Sequence, residues 1–405
     1  MKCISNKIRN FFYIKFYKFL PLERIQLMSI GVWPCSKCGW FILLGLFNSI
    51  FNGTTTLAEF AFAYNHRDNL EDILASLSPA FTKMNTSFKI FILVLKRKEF
   101  FVILNTLQTN YQNYMNREEN NIRRKLAKRS FIICLTLSVF SQSTGIFFSV
   151  LPIFRNVYRI LNGNKPVTEL PFKSNWPWSI QKSPLYEITY LLQVYGSWLT
   201  SSAVAGIDCV FMGIFLHVTS EFRCISSRIT EFGKNLDQKA PHLTVLNKKD
   251  NEAAYMDLKK LIHEHRTCIE FCDKLRDFGK EIILGHFLLS SVTVCMTSVN
   301  LLIAEWSQKP VYVTYILTVL TQALVYCYGG ELVSNESGKI SEEIYLVSWH
   351  KLNENGRRAI KMIIQRAQKS SDISVPFFTV SMPTFGNIIR VAGSYITLLN
   401  TFLDK

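Results

Sequence analysis

Seven stretches of this chain are long and apolar enough to cross a membrane, and that constrains what it can fold into more than any other feature. A hydrocarbon core of about 30 Å takes about 20 mostly apolar residues as a helix. Trp40 to Phe62, Ile73 to Leu95, Phe131 to Phe154, Leu185 to Leu216, Ile282 to Ala304, Val311 to Leu332 and Pro376 to Phe402 all reach that length. Bulk composition does not decide the class, because 405 residues that are 48% hydrophobic also describe a large soluble protein. The clustering of the apolar residues does, and it points to an all-α membrane protein with seven transmembrane helices.

The formal net charge of +16 invites a nucleic-acid reading, and the location of the charge argues against it. Of 46 Lys and Arg residues, 35 lie before span one, between spans two and three, between four and five, and between six and seven; the other three connections hold 7. The positive-inside rule puts the basic set in the cytoplasm. The N-terminus is then cytoplasmic and, after seven crossings, the C-terminus extracellular, the inverse of a G-protein-coupled receptor. Dropping the long connection between spans four and five still leaves 23 against 7. Met1 to Ile30 has no clean apolar core before a small-residue cleavage site, so span one is expected to insert as its own anchor. All ten cysteines fall in spans or cytoplasmic segments, so no external disulfide is expected.

The expected organisation is a cytoplasmic N-terminal segment (1–38), spans one to four (39–218) with an external loop at 155–184, and a cytoplasmic helical extension (219–281). Spans five and six (282–333), a cytoplasmic anchor helix (334–374) and span seven (375–405) follow. The stretch from Phe11 to Pro34 mixes aromatics with Lys and Arg, as an interfacial helix or a short pre-helix packed on the bundle would. Four prolines, Gly163 and the run Asn175 to Trp178 mark 155–184 as a loop of fixed shape, a natural lid over a bundle mouth. Segments 251–280 and 332–370 keep apolar residues at helical spacing among charges, and their apolar faces suggest oligomerisation through a cytoplasmic bundle.

No enzyme constellation is present: there is no Walker loop, dinucleotide fingerprint, HExxH or GxSxG, and no cofactor is implied. Cys35 and Cys38 form a lone CxxC, and His263, His265, Cys268 and Cys272 sit on one helical stretch that does not close a tetrahedral zinc site. Charges inside spans mean more. Asp208, Lys83, Lys89 and Arg390 each need a partner or water, and Arg390 is too deep in span seven to snorkel easily. That span also carries a stripe of small or polar residues at helical spacing: Thr379, Pro383, Gly386, Arg390, Gly393, Thr397 and Asn400. A lipid-facing helix has no use for it.

With a cytoplasmic N-terminus, the outer halves of the spans supply Leu74, Leu77 and Phe81; Ser141, Thr144 and Phe148; Tyr190, Leu191 and Tyr195; Met296; and Tyr312 and Tyr315. Aromatic walls with a few hydroxyls suit a small, mostly apolar ligand held by shape and dispersion. Ordinary bundle packing uses the same residue types, and the Tyr312 and Tyr315 pair, one turn apart, is the most ligand-like element of the set.

The end of the chain, Gln365 to Gln368, Phe385, Ile388 to Arg390, Ser394-Tyr395 and Leu398-Leu399, closely resembles the end of insect odorant receptors. Gly31 to Pro34, Tyr190 with Gln193, Asp208, and Tyr326 and Cys327 through Gly330 and Ser337 to Tyr345 and Trp349 extend the likeness over nearly the whole chain. The sister gustatory receptors end in Thr-Tyr, five apolar residues and Gln-Phe; here Ser394-Tyr395 and Thr401-Phe402 depart from that pattern. The family's common co-receptor has a longer loop between spans four and five. The resemblance therefore implies a ligand-tuned subunit of a tetrameric, odorant-gated, non-selective cation channel. Such a subunit binds a small volatile odorant and assembles with the odorant receptor co-receptor as a heterotetramer. It would sit among lipids in the plasma membrane of sensory neuron dendrites. Cations would pass along span seven, with Thr397, Leu398, Thr401 and Phe402 at the pore and gate.

Overall fold

A computed structural model describes residues 20–34, 39–112, 117–240 and 245–403. Within them ten α-helices follow one another: α1 (Pro21–Ser29), α2 (Gly39–Asn65), α3 (Leu70–Leu95), α4 (Arg97–Gln112), α5 (Arg117–Leu161), α6 (Leu185–Lys239), α7 (Lys248–Ile303), α8 (Lys309–Tyr345), α9 (Glu354–Ala367) and α10 (Met382–Leu403). A two-residue antiparallel hairpin, β1 (Ser374–Val375) with β2 (Phe378–Thr379), precedes α10. Five helices, α2, α5, α6, α7 and α8, are long and apolar enough to cross a membrane. The charges of α3 keep its composition less apolar, though it is 26 residues long.

α2 shows what solvent the fold is built for. It exposes Trp40, Leu43, Phe47, Ile50 and Leu57 along one helical stripe and buries Asn48, Ser49, Asn52, Thr55, Thr56 and Glu59 on the opposite one. That is the reverse of a soluble amphipathic helix, and lipid makes it favourable. α5 repeats the arrangement with Ile132, Leu135, Val139, Ile146, Val150 and Ile153 turned outward.

The centre of the bundle is α6, a single 55-residue helix that packs against α1, α2, α3, α5, α7 and α8. Small residues allow this crowding. A Cβ on Gly213 would meet Leu20 Cδ2 at 2.5 Å, so α1 lies directly on the backbone of α6. Of the two readings of the N-terminal stretch, the described part is the packed pre-helix: Leu20, Glu23, Arg24, Leu27 and Ile30 are buried. Residues 1–19 lie outside the described residues.

Two sequence expectations need correction. The connection before α6 is shorter than 155–184, because α5 continues to Leu161; the amides of Asn162, Gly163 and Asn164 satisfy carbonyls of that helix end, and Glu169 turns back to pair with Arg155 and Arg159. The single anchor helix expected over 334–374 is two helices. α8 ends at Tyr345, a 3-10 turn spans Trp349–Lys351, and α9 starts again with the Asn353 side chain accepting from the Gly356 amide at 2.9 Å. Burial of Val347 and Leu352 holds the break.

At the basic end of the bundle the chain covers part of its own amphipathic faces and leaves Met256, Tyr345 and Met362 exposed. Leu258, Leu261, Leu275, Ile340, Ile344, Ile360 and Ile363 belong to one continuous core with α6. Around it Arg123 reaches Glu221 with two nitrogens at 2.9 and 3.1 Å, and Arg228 reaches Glu119 at 2.7 and 2.9 Å and also Glu264. The forked geometry ties α5, α6 and α7 together.

His265 of α7 is buried in this region with its ring 6.4 Å from that of Phe222. Burial, and then the positive charge of Arg366, push its pKa down to about 4. A folded pKa below the ordinary value means that the unfolded chain binds the proton more readily. Stability is then complete above about pH 6.5 and declines as pH falls toward 4, with about 2 kcal/mol lost between pH 7.5 and 5. Thermal unfolding of the detergent-solubilised protein at those two pH values should show the loss, and His265→Phe should flatten the dependence; an unchanged slope in that variant would assign the loss to other groups.

Candidate functional site

At the end of the bundle opposite the basic one, α3, α5, α6 and α8 diverge around a cavity of about 50 Å³. Pro79, Thr82 and Lys83 line it from α3, Ser141, Thr144, Gly145 and Phe148 from α5, Ser197, Thr200, Ser201 and Val204 from α6, and Tyr315, Thr318 and Gln322 from α8. Phe172, from the loop between α5 and α6, forms the roof.

That loop is held as a lid by α6. Gln193 accepts from the Phe172 amide at 2.9 Å and donates to the Phe172 carbonyl at 3.1 Å and to Ser174 Oγ at 2.6 Å. Trp178 donates to Thr189 at 2.8 Å, the Asn175 amide to the Ala58 carbonyl of α2 at 2.8 Å, and Lys173 pairs with Asp72 of α3 at 2.5 Å. Phe172 then stacks on Phe148 with ring centroids 5.1 Å apart, and Phe148 meets Tyr315 edge to face at 5.8 Å.

Most hydroxyl protons in the wall are committed to helix carbonyls. Ser141 donates to Ser201 O, Ser197 to Gly145 O, Ser201 to Ser197 O, and Tyr315 to Ser78 O at 2.8 Å while also meeting Thr82 Oγ1 at 2.5 Å. The one ionic element is Lys83 of α3, which pairs with Glu59 of α2; both are buried. Lys83 Nζ also lies 3.9 Å from the centre of the Phe172 ring, a cation–π contact.

Of the twelve expected ligand contacts the fold brings Ser141, Thr144, Phe148 and Tyr315 around this cavity. Tyr312 stands behind it, 6.4 Å from the Phe148 ring. The other seven serve the frame or face outward. Leu74 is buried and its carbonyl accepts from Asn300, Leu77 and Met296 are half-buried, and Phe81 packs on Phe60. Tyr190 donates to Ser149 O, Tyr195 to Asn48 Oδ1 at 2.7 Å, and Leu191 is 68% exposed. Sequence reasoning missed Glu59, Phe172, Thr318 and Gln322. Glu59 was findable, as an acid inside an apolar run one span away from an equally isolated lysine.

Deeper in the bundle the remaining in-span charges meet. Lys89 of α3 binds Asp208 of α6 at 2.5 Å, and Tyr326 of α8 donates to the same oxygen at 2.7 Å. His286 of α7 stacks on Tyr326 at 4.9 Å and bonds Asn85 at 3.2 Å. Four helices are pinned at one point.

α10 touches α7 and α8 through Phe385 and Ile388, while Gly386, Asn387, Ile389, Arg390, Val391, Gly393, Ser394 and Thr397 are exposed. Leu398, Thr401 and Phe402 fall in the same helix, with side chains outside the described part. Cys35 and Cys38 also lie outside the described residues. Elsewhere among the described residues no three His, Cys, Asp or Glu gather as a metal site. Burial, with Asp273 adding to it, pushes the Cys272 thiol up to about 12, which leaves it unreactive.

A family model described as 7tm Odorant receptor matches residues 69–393. Odorant receptor 22c of Drosophila melanogaster is 28% identical over 392 residues, covering 95% of this chain and 97% of that one. Odorant receptor 10a of the same fly is 26% identical over 403 residues, covering 95% and 96%. The insect olfactory receptor OR5 from Machilis hrabei in complex with eugenol superposes with a TM-score of 0.78 at 14% identity, covering 96% of this chain and 99% of that one. At that identity the likeness speaks for the fold.

The Lys89 and Asp208 pair is expected to behave as a buried pair should. Lys89→Met alone strands a carboxylate and costs about 3–5 kcal/mol, whereas Lys89→Met with Asp208→Asn removes both charges and recovers most of it. Thermal stability in detergent checks this, and a double variant no better than the single one would mean that the pair does not act as a unit.

Proposed function

The chain belongs to the insect odorant receptor family, and from that premise we propose that it is the ligand-tuned subunit of an odorant-gated, non-selective cation channel in the plasma membrane. The observation that carries the ligand half of this reading is the cavity under the Phe172 lid, walled by aromatic rings and hydroxyls. Machilis hrabei OR5, which shares this fold, has been seen with eugenol. A phenolic ligand of that size suits the same kind of wall.

The channel half is supported by α10. A helix of 22 residues that packs through one edge and leaves Gly386, Arg390, Gly393 and Thr397 uncovered is not a lipid-facing helix by composition. Four such helices around an axis would place the small and polar stripe on a water-filled path, closed near its outer end by Leu398 with Thr401 and Phe402. Apolar rings of this kind gate by dewetting. Partner subunits would be copies of the family's co-receptor, and the odorant would act by binding the open arrangement more tightly than the closed one. A G-protein-coupled receptor needs the N-terminus outside, against the distribution of 35 basic residues to 7.

Cells expressing this chain with the co-receptor should give odorant-evoked currents that persist when G-protein signalling is blocked. Loss of the currents under block would sink the channel reading. Leu398→Ser should raise the basal leak several-fold, measured as holding current without odorant; an unaltered leak would remove Leu398 from the gate.

A further inference from the structure

We propose that Lys83 makes this receptor selective for neutral ligands carrying a hydrogen-bond acceptor, such as small ketones, aldehydes and esters, over hydrocarbons of the same shape. The inference rests on the reading of the cavity as the odorant site and adds the ligand class.

The argument is an inventory of donors. An apolar ligand needs only shape, but a carbonyl loses its water on entering and must regain a donor inside. The hydroxyls of Ser141, Ser197, Ser201 and Tyr315 spend their protons on backbone carbonyls, so they offer lone pairs to the cavity. Three side chains in the wall have donors to spare, and Lys83 is the charged one. The Thr200 hydroxyl accepts from Asn52 at 3.2 Å and donates to no other described residue. The Gln322 amide makes no hydrogen bond to another described residue. Lys83 carries three N–H groups; Glu59 accepts one and the face of Phe172 takes a second. The third is left for whatever fills the cavity.

Glu59 sets the charge of the ligand. With Lys83 it forms a neutral pair sealed at 1–3% side-chain exposure, so a carboxylate ligand would bring an uncompensated negative charge into a site with no second cation among its lining residues. A neutral acceptor adds no net charge and uses a charge-assisted bond, the stronger kind. Acceptor and ring are also adjacent, because Phe172 lies on Lys83 and Phe148 on Phe172. A carbonyl held at Lys83 leaves its carbon skeleton against those two rings.

The test uses matched pairs: methyl ketones of six to ten carbons, and the alkenes in which a methylene group replaces the oxygen, as with 2-octanone and 2-methyl-1-octene. Half-maximal concentrations are read as currents in cells with the co-receptor, and binding is read separately as the rise in unfolding temperature of the purified receptor. The wild type should favour the ketone by about tenfold or more, the gain of a hydrogen bond from a charged donor. Lys83→Met with Glu59→Met, which strands neither charge, should bring the two members of each pair within about threefold of each other. An equal preference in wild type, or a preference that survives the double variant, overturns the inference. Ketone-selective thermal stabilisation without current in any cell would instead overturn the channel reading and leave the site standing. Carboxylic acids of the same length should bind more weakly than the ketones, and tighter binding of the acid would contradict the role given to Glu59.

Discussion

Everything in this fold follows from packing helices where burying apolar surface brings no gain. Lipid tails are as apolar as leucine, so what draws transmembrane helices together is close contact between small residues and the pairing of polar groups that have no water to turn to. α2 makes the point most plainly, with its leucines and phenylalanines outside and its asparagines, threonines and Glu59 inside. The interior is accordingly stitched by polar pairs through an apolar core that includes Ile207, Val210, Phe211, Phe215 and Ile283. Lys89, Asp208 and Tyr326 join α3, α6 and α8, and Lys83 with Glu59 joins α2 to α3.

The two ends of the bundle are held by different physics. At the basic end, water is available, and the same helices α6, α7 and α8 revert to soluble rules: leucine and isoleucine inward, forked Arg and Glu pairs around them. This end forms a continuous core from a single chain. At the other end α6 and its neighbours diverge, and the gap is closed by one aromatic ring on a loop. Rigidity at one end and a cavity at the other both trace to α6, whose small residues let six other helices approach it.

Much of this was legible in the sequence. The spans showed as apolar runs, the lid as a Pro and Trp-rich loop, and Ser141, Thr144, Phe148 and Tyr315 as aromatic and hydroxyl positions on outer halves. The misreadings have physical causes. Tyr190, Tyr195 and Leu74 have the right composition and depth, but helix rotation decides whether a side chain points into a cavity or a neighbour, and rotation is set by partners that a single chain of letters does not display. The break at Leu346 to Asn353 lacks Gly and Pro; tertiary burial of Val347 and Leu352 overrides a helical pattern that is locally unbroken. Phe172 was invisible because a loop residue acquires its role only when Gln193, 21 residues away, fixes the backbone around it.

The size of the cavity turns the lid into more than a cover. About 50 Å³ is a fraction of the roughly 150 Å³ that accepts benzene in an engineered protein core. An eight-carbon ligand must therefore displace part of the wall, and the wall is not uniform. The α5 and α6 sides are locked by Gly145, where an added Cβ would sit 2.5 Å from Ser201 Oγ, and by the bonds that Ser197 donates to Gly145 O and Ser141 donates to Ser201 O. The rings of Phe148 and Phe172 are held by ring contacts, which shift at smaller cost than the hydrogen bonds that fix the Phe172 backbone and the Tyr315 hydroxyl. A ligand that enlarged the cavity would move the side chains of Phe148 and Phe172 first, and Phe148 rests on Tyr315. Tyr315 lies on the same continuous helix as Tyr326, one side of the Lys89 and Asp208 pin, and that helix carries α10 on its far flank. The yielding side of the proposed ligand cavity and the largely uncovered α10 are thus both attached to α8.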